Sequence, residues 1–268
     1  MRKPEHQNLK VQGVLSVRPA LVFDVETVVD AKMAKLVLGQ PDLADPEALR
    51  LVAPPRDESE AHGFPKPLYH QVVEIAVCVV GADGSVEALR PLATSDDDER
   101  LLLQGFWAGF GHRAPGVRLV TYNGRRFDVP VLLQRALRHG LAPAAIWRDD
   151  YRQRFRDSHL DVMDVISDYG SSPPLSQHEL ATMLGVPGKL GVSGGDVMAL
   201  WSEGRREDIA AYCTCDVATL TLAFARLGPT TGWCTPAEGD RIEQGIRASL
   251  EGLAQGHQLY AQFLAALG

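Results

Sequence analysis

The sequence predicts a mixed α/β fold, in which helices flank a β-sheet. An apolar, β-branched run at 20–26 is typical of a buried strand. A second apolar run, at 72–80, is separated by the turn signal at 82–85 from a strand at 86–89, so these two strands should form a hairpin. After the hairpin, strands such as 117–121 alternate with helices, and this order favours a mixed sheet over a barrel.

The helices are predicted from apolar periodicity together with start and stop residues. The first covers 30–38 and is ended by Gly39, and another begins after Ser176, which has a glutamate three positions later as in a capping box. Further helices are predicted at 96–110, 129–139, 207–227 and 240–267. Residues 160–167 fit a strand or a helix, and periodicity leaves that choice open.

Length and composition allow one or two domains. Along the chain, we expect a flexible N-terminus at 1–17, a long loop at 40–69 and a C-terminal helix at 237–268 that packs on the domain. No apolar run approaches the roughly 18 residues of a membrane span, and the N-terminus lacks the apolar run of a signal peptide. The four cysteines lack disulfide spacing, which predicts a reduced, cytoplasmic protein.

The charge balance is acidic, with a formal net charge of −7 and a pI of about 5.6. This balance argues against a protein that coats nucleic acid by charge alone, but it does not exclude a nuclease. Arginines cluster at 125–126, 135–138 and 148–156. These clusters fit either solvated surface charge or contacts to phosphates.

The first strand carries two carboxylates, Asp24 and Glu26, among apolar residues. Residues two apart on a strand share a face, so both carboxylates should point the same way as Val22. Two carboxylates on a buried face repel each other and lose hydration unless a cation lies between them or one stays protonated. A divalent metal is the simplest solution, and oxygen ligands suit Mg²⁺ or Mn²⁺.

Two further aspartates stand in informative places. Asp216 lies within the apolar stripe of the helix at 207–227, one turn after Tyr212. A buried aspartate of this kind fits either a functional group or a structural hydrogen-bond partner. Asp128 precedes Pro130 at the start of the helix at 129–139, where on its own it resembles a helix N-cap.

Three motifs follow one another along the chain: Phe23-Asp-Val-Glu-Thr27, Tyr122-Asn-Gly-Arg-Arg-Phe-Asp128 and Tyr212-Cys-Thr-Cys-Asp216. In this order they resemble the three motifs of the DEDD 3′–5′ exonucleases, and a tyrosine four positions before the last aspartate is typical of the Tyr-type subclass. The segments at 68–76, 159–161, 185–189 and 202–212 resemble the stand-alone exonucleases related to the proofreading domain of family-B DNA polymerases. The resemblance covers about residues 20–227.

The resemblance implies an RNase H-like fold, in which helices flank a five-stranded mixed sheet, and a single domain of this fold over residues 1–268. It also implies two divalent cations, Mg²⁺ or Mn²⁺, held by four carboxylates. Asp24 would bridge both ions, Glu26 and Asp216 would complete one site, and Asp128 would bind the other ion. Tyr212 would orient the attacking water together with Glu26. Each cycle would release a nucleoside 5′-monophosphate from the 3′ end of a single strand, with DNA favoured over RNA.

The resemblance also implies contacts to the terminal nucleotide. Asn123 and Phe127 would hold it by hydrogen bonding and stacking, although Phe127 fits a core position equally well. Thr27 would contact the terminal sugar through its backbone, and Lys189 would meet a phosphate unless it is a solvated loop residue. His159 and Asp161 would hold the metal- and substrate-binding residues in position without contacting the substrate.

Other interpretations are weaker. The run at 191–195 matches the G-x-S-x-G pattern but lacks the strand before it that a serine hydrolase requires, and 185–189 lacks P-loop spacing. The family suggests an acidic residue near 214 or 215, where this sequence has Cys213-Thr-Cys215. Cys213 and Cys215 should be packing residues rather than zinc ligands. Two alternatives stay open: an exoribonuclease with the same chemistry, and an RNase H-like module that binds nucleic acid without cutting it.

Overall fold

A computed structural model of the protein describes residues 18–57, 60–93, 98–188 and 194–268. Five strands form one sheet, and they are β1 (Ala20–Val29), β2 (His70–Val80), β3 (Val86–Pro91), β4 (Arg118–Thr121) and β5 (His159–Asp161). The strand order is β3-β2-β1-β4-β5. The pairs β1–β2 and β2–β3 are antiparallel, whereas β1–β4 and β4–β5 are parallel. The predicted five-stranded mixed sheet is therefore confirmed.

Eleven helices occur in the described part of the chain, together with four short 3-10 turns. The helices before β5 are α1 (Ala31–Leu38), α2 (Asp45–Val52), α3 (Glu99–Arg113), α4 (Asp128–Arg138) and α5 (Ala144–Arg148). The helices after β5 are α6 (Val162–Ile166), α7 (Gln177–Leu184), α8 (Val197–Ser202), α9 (Arg206–Thr231), α10 (Pro236–Leu253) and α11 (Gln258–Leu267).

The sheet separates two hydrophobic layers. On one face, Phe23 of β1 packs against Phe106 of α3, with ring centroids 5.0 Å apart, and α4 completes this layer. On the other face, Val22 joins a layer that α9, α10 and α11 cover. Side chains on β1 therefore alternate between the layers as the sequence predicts, and Asp24 and Glu26 point toward the α9 side.

The long helix α9 is the central element of the second layer. It is apolar enough and long enough, at 26 residues, to pass a composition test for a membrane span, but 83% of its most apolar window is buried inside the protein. It contacts β1, β2, α7, α10 and α11. A helix that is hydrophobic on most sides and enclosed by other elements is a core helix.

A buried ionic network joins α1, α3, α4 and β2. The Arg135 guanidinium donates to both carboxylate oxygens of Glu99, at 2.5 and 2.7 Å, and to Asp30 at 2.7 Å. Glu99 also accepts the backbone N–H of Val72 at 2.8 Å and lies 2.8 Å from His139. Each charge has hydrogen-bonded partners, so the network holds these elements in one arrangement.

The structure corrects the predicted long loop at 40–69. Residues 45–52 form α2, whose Ala48 and Leu49 pack on Met33 of α1, and Pro67–Tyr69 forms a 3-10 turn. The helix begins with Asp45-Pro46-Glu47, and a proline and acidic side chains in a first turn favour a helix start. The proline content of the segment therefore marked a helix boundary as well as loops.

The C-terminal prediction of one helix at 237–268 is also wrong in detail. Two helices occupy this region, because residues 254–257 are not helical and separate α10 from α11. His257 caps α11 by accepting the N–H of Leu259. Both helices pack on α9. At 160–167, the undecided segment divides into the end of β5 and α6. The helices α5 and α8 had no sequence prediction, and the expected flexible N-terminus at 1–17 lies outside the described residues.

Candidate active site

The carboxylates of β1 lie at the centre of the sheet. Asp24 pairs with Ala76 and Glu26 pairs with Glu74 on β2, and the register shifts between Glu26 and Thr27. The residue skipped by this shift is Val73 on β2. Such irregularities locally disrupt strand pairing. Glu26 is buried and Asp24 is partly buried, so neither carboxylate is fully hydrated.

Helix α9 crosses this face of β1 and supplies the next residues of the site. Its residue Cys213 lies directly over Asp24, with Sγ 3.6 Å from the Asp24 carbonyl oxygen and 3.9 Å from Oδ2. Tyr212 is 5% exposed and is hydrogen-bonded to Asp216, one turn later. The helix therefore places Tyr212 and Asp216 beside the two carboxylates of β1.

Asp128 approaches the same place from β4. The chain leaves β4 at Thr121, turns through 122–127 and starts α4 with Asp128, which is buried. Asp128 stands inside the first turn, and Phe127 occupies the capping position, so the aspartate does not act as the N-cap that it resembles in isolation. A cleft of about 350 Å³ opens over these residues, and its lining includes Asp24, Phe64, Tyr122, Asn123, Arg126, Phe127 and Asp128.

The carboxylates strongly perturb one another. Burial raises the pKa of Asp24 well above its ordinary value, and the charges of Asp128, Glu26 and Asp216 raise it further. Burial also raises the pKa of Asp128 to about 7. These shifts mean that the protein alone does not compensate the negative charge of the cluster. Hard oxygen ligands at this charge density fit divalent cations such as Mg²⁺ or Mn²⁺.

Tyr212 is held in its protonated form. Burial raises the pKa of its phenol above the ordinary value, and the nearby carboxylates Asp216, Glu26 and Asp24 add to this effect. A phenol with a raised pKa donates a hydrogen bond but is a poor general base.

Cys213 is a buried core residue, as predicted, and it also lies beside the carboxylate cluster. Ligand atoms of Asp24, Glu26 and Cys213 all lie within 4.8 Å of one another. Burial and the neighbouring carboxylates raise the pKa of the thiol, so it remains protonated in this environment. Cys215 is likewise a buried core residue, as predicted, but it is not part of this group of ligand atoms.

Glu74 is a further buried carboxylate that the sequence analysis did not place at the site. It lies opposite Glu26, and its Oε1 accepts the backbone N–H groups of Ile75, Leu92 and Ala93 at 2.9–3.0 Å. Three amide donors occupy this oxygen, so Glu74 joins the end of β3 to β2. Its proximity depends on strand register, and no local signal in the sequence reveals it.

Asp161 holds the turn between β4 and α4. Its carboxylate accepts the N–H of Asn123 at 2.9 Å and the N–H of Arg125 at 3.0 Å. Asn123 has a left-handed φ of 61°, which asparagine tolerates better than most residues. At Gly124, any Cβ would stand 2.5 Å from the Thr121 side chain, so only glycine fits this turn.

His159 supports the same turn from below. Its Nε2 lies 2.8 Å from Thr121 Oγ1, and Arg125 donates to its carbonyl oxygen. Burial and the Arg125 charge lower the pKa of the imidazole to about 3, so the ring is neutral near pH 7. His159 and Asp161 thus lie behind the cleft, where they fix the backbone that presents Asn123 and Asp128.

The aromatic side of the cleft contains a residue that the sequence analysis missed. Phe127 is half-buried and contacts Phe64, with ring centroids 5.4 Å apart, and His70, with centroids 4.8 Å apart. Phe64 comes from the segment predicted as a loop, and 70% of its surface is exposed. Thr27 joins this group because its Oγ1 lies 2.9 Å from His70 Nδ1. The remaining predicted residue, Lys189, lies outside the described residues.

The mixed sheet with a carboxylate cluster on its central strand, covered by a long helix, defines a nuclease-type RNase H-like domain. Residues 62–267 match the family described as predicted 3′–5′ exonucleases related to the exonuclease domain of PolB, and the chain belongs to this family. The match confirms the family predicted from the three motifs and, at the level of family, the predicted enzyme class. No curated protein matches the chain in sequence.

Two solved structures illustrate the fold. The family B DNA polymerase from the archaeon Pyrobaculum calidifontis superposes with a TM-score of 0.54 and 17% identity over 89% of this chain and 29% of the polymerase chain. For E. coli exonuclease I in complex with a 5cy-dT13 oligonucleotide, the TM-score is 0.40 and the identity 15%, over 92% of this chain and 45% of that chain. This protein thus spans less than half of either chain. The likeness to the polymerase confirms the predicted fold.

Proposed function

We propose that the protein is a metal-dependent 3′–5′ exonuclease that hydrolyses single-stranded nucleic acid, with DNA as the preferred substrate. The observation that carries this proposal is the convergence of Asp24, Glu26, Asp128 and Asp216 beside Tyr212. Two of these acids, Asp24 and Asp128, line the cleft. The preference for DNA is supported by the relation of the family to the exonuclease domain of a DNA polymerase.

The four carboxylates would hold two divalent cations. Asp24 lies among the other three acids, which suits a ligand shared by both ions, while Glu26 and Asp216 lie on the Tyr212 side and Asp128 on the α4 side. When bound, two such ions supply Lewis-acid stabilisation and lower the pKa of water. The raised pKa values of Asp24 and Asp128 fit this assignment, because a cation would neutralise the charge that raises them.

The reaction is a hydrolysis of the terminal phosphodiester. A water oxygen adds to phosphorus, the bond from phosphorus to O3′ of the penultimate nucleotide breaks, and that O3′ takes a proton. The products are a nucleoside 5′-monophosphate and a strand one nucleotide shorter. Tyr212 would orient the attacking water with its phenol hydroxyl, and Glu26 would accept a hydrogen bond from that water.

Replacing Tyr212 with phenylalanine tests this role. We expect kcat to fall about 10- to 100-fold, the cost of one hydrogen bond to a charged group. The shape of the pH–rate profile should stay the same, because a phenol with a raised pKa is not the titrating base. Steady-state kinetics between mildly acidic and alkaline pH measure both quantities. Tyr69→Phe, a buried tyrosine of the α1–α2 layer, is the matched control, and an unchanged kcat in Tyr212→Phe would contradict the role.

The terminal nucleotide would lie between the carboxylates and the aromatic side of the cleft. Asn123 Oδ1 is buried and accepts no hydrogen bond from the described part of the chain, so a sugar hydroxyl or base N–H could satisfy it. Phe64 and Phe127 present aromatic surface at the same cleft, on which a base could stack. Thr27 is held nearby by its contact with His70.

Replacing Phe64 with alanine tests the aromatic contact. We expect KM for a single strand to rise about tenfold with a smaller change in kcat, because stacking of one base contributes roughly 1–3 kcal/mol. Steady-state kinetics on an oligothymidylate measure this effect. The matched control is Phe155→Ala, since Phe155 is 75% exposed and lies outside the cleft lining. A KM that does not rise in Phe64→Ala would remove Phe64 from the substrate site.

The proposed activity is tested on 5′-labelled single-stranded DNA and RNA with Mg²⁺, Mn²⁺ or EDTA. We expect a ladder that shortens from the 3′ end, requires metal and forms faster on DNA. Faster cleavage of RNA would identify an exoribonuclease with the same chemistry. Tight binding of a single strand without cleavage in either metal would identify a non-cleaving module instead.

A further inference from the structure

We propose that a second cleft binds the nucleic acid strand next to its terminal nucleotide, an inference that rests on the proposed function. This cleft, the arginine groove, has a volume of about 540 Å³ and lies between α4 and the segment at 147–154. Its lining includes Arg126, Leu137, Trp147, Arg152 and Arg154. Its size is typical of ligand sites, which measure roughly 300–1,000 Å³.

The arginine groove adjoins the active-site cleft. Arg126 lines both of them. At the start of α4, Asp128 faces the active-site cleft, whereas Val129 and Pro130 line the arginine groove. From there the groove follows α4 as far as Leu137, a rise of roughly 12 Å at 1.5 Å per residue. A strand whose 3′ end lies at the carboxylates can therefore continue into the groove.

The charge of the arginine groove is positive in a protein with a net charge of −7. Arginines at 125, 126, 152 and 154 line it, and Asp164 is its only acidic lining residue in the described part of the chain. Arg154 binds Asp164 through two hydrogen bonds of 2.7 and 2.9 Å, and the Arg125 guanidinium donates to backbone carbonyl oxygens at 151, 153 and 159. Four arginines against one aspartate still give the groove a positive charge. Arg126 and Arg152 are exposed, where they can reach phosphates.

The groove also carries exposed apolar surface. Trp147 is 52% exposed, and the Arg152 guanidinium lies 4.0 Å from the centre of its ring. Leu137 is 67% exposed beside them. A groove that pairs arginines with an aromatic ring matches single-stranded nucleic acid, whose bases stack on aromatic rings while its phosphates meet cations. An acidic peptide would use the arginines but would leave the tryptophan and leucine surface exposed to water.

Fluorescence anisotropy in EDTA tests the proposal on the full chain. The probes are a labelled oligothymidylate of about twelve nucleotides and a labelled thymidine dinucleotide. We expect Arg152→Glu and Trp147→Ala each to raise Kd for the longer probe about tenfold. The affinity for the longer probe should fall toward the affinity for the dinucleotide, so the ratio between the two affinities should approach one. For Arg152→Ala, the slope of log K against log salt should shrink by about 0.7, the value for one lost phosphate contact on a single strand.

Two variants control this experiment. Arg90→Glu makes the same charge change at an exposed residue of β3, at the opposite edge of the sheet, and should leave the affinity ratio and the salt slope unchanged. Trp147→Phe keeps an aromatic face and should restore most of the affinity that Trp147→Ala loses. A variant that is only partly folded would bind both probes less, but it would not change both the salt slope and the ratio of the affinities for the two probes.

The outcomes separate this inference from the proposed function. Equal affinities of the wild type, Arg152→Glu and Trp147→Ala for the longer probe would overturn the arginine groove, whatever the activity. If these variants lose affinity while the wild type cleaves no substrate, the groove stands and the exonuclease proposal fails. A Trp147→Phe variant that binds as weakly as Trp147→Ala would show that bases do not stack on the ring at position 147.

Discussion

Asp24→Asn is expected to reduce nuclease activity by at least about 10³-fold while the protein remains folded. Asp24 interacts with the charges of the other three carboxylates, so its loss should remove the ligand that we propose both ions would share. Stabilisation by metal ions contributes several kcal/mol to such reactions, and about 4 kcal/mol corresponds to the stated loss of rate. Activity on a 5′-labelled single strand with Mn²⁺ measures this effect.

The same variant separates a functional from a structural carboxylate. Asparagine has nearly the same shape but no charge, so the metal-free protein should lose part of the repulsion that raises the pKa of Asp24. We expect Tm in EDTA near pH 8 to rise by about 2–4 °C. Asp42→Asn, at an exposed turn, should change neither activity nor Tm. Wild-type activity in Asp24→Asn would exclude the proposed site, and Glu26→Gln gives an independent test if Asp24→Asn does not fold.

Local signals in the sequence predict much of the fold and the centre of the site. The alternation of β1, the end of α1 at Gly39 and the capping box at Ser176 are all decided by neighbours along the chain, and the structure agrees with each. The carboxylates of β1 share a face for the same reason. The position of α9 over them follows from the ordered motifs rather than from any single one.

The residues that the sequence does not reveal depend on long-range geometry. Glu74 lies opposite Glu26 because of the register in which β1 pairs with β2. The residue pattern of one strand does not by itself determine its register with a neighbouring strand. Phe64 and Phe127 come from distant parts of the chain and meet only at the cleft. Cys213 approaches Asp24 because α9 packs closely on β1 there. In each case the partner lies far away in the sequence.

The metal-free protein is expected to lose stability as the pH rises from about 6.5 to about 8. Asp128 has a folded-state pKa of about 7, above its ordinary value of 3.8, so the folded state retains a proton that the unfolded state has released. This contribution to the free energy of unfolding is complete below the unfolded pKa and disappears as the pH passes the folded pKa. Over the stated window, the loss is roughly 1 kcal/mol.

The pH range from about 6.5 to about 8 is chosen because the titration of His159 changes the stability in the opposite direction at lower pH. Its pKa falls from 6.5 to about 3 in the folded state, so its contribution to stability grows as the pH rises and levels off above about 6.5. Differences in Tm between the wild type and Asp128→Asn, measured in EDTA across the window, isolate the aspartate. We expect the wild type to show the decline and Asp128→Asn to show a flatter profile. Parallel profiles would contradict the raised pKa of Asp128.

Metal should reverse this decline in the wild type. A cation that binds only the folded state stabilises it by about 2.7 kcal/mol at a hundredfold excess over Kd, and binding strengthens as the carboxylates lose their protons. Tm in Mn²⁺ should therefore exceed Tm in EDTA by a margin that widens from about pH 6.5 to about pH 8. In Asp128→Asn the margin should be smaller, because one ligand is missing. An equal margin in both proteins would place the metal away from Asp128, and the cleft between β1 and α4 would then need another explanation for its buried acids.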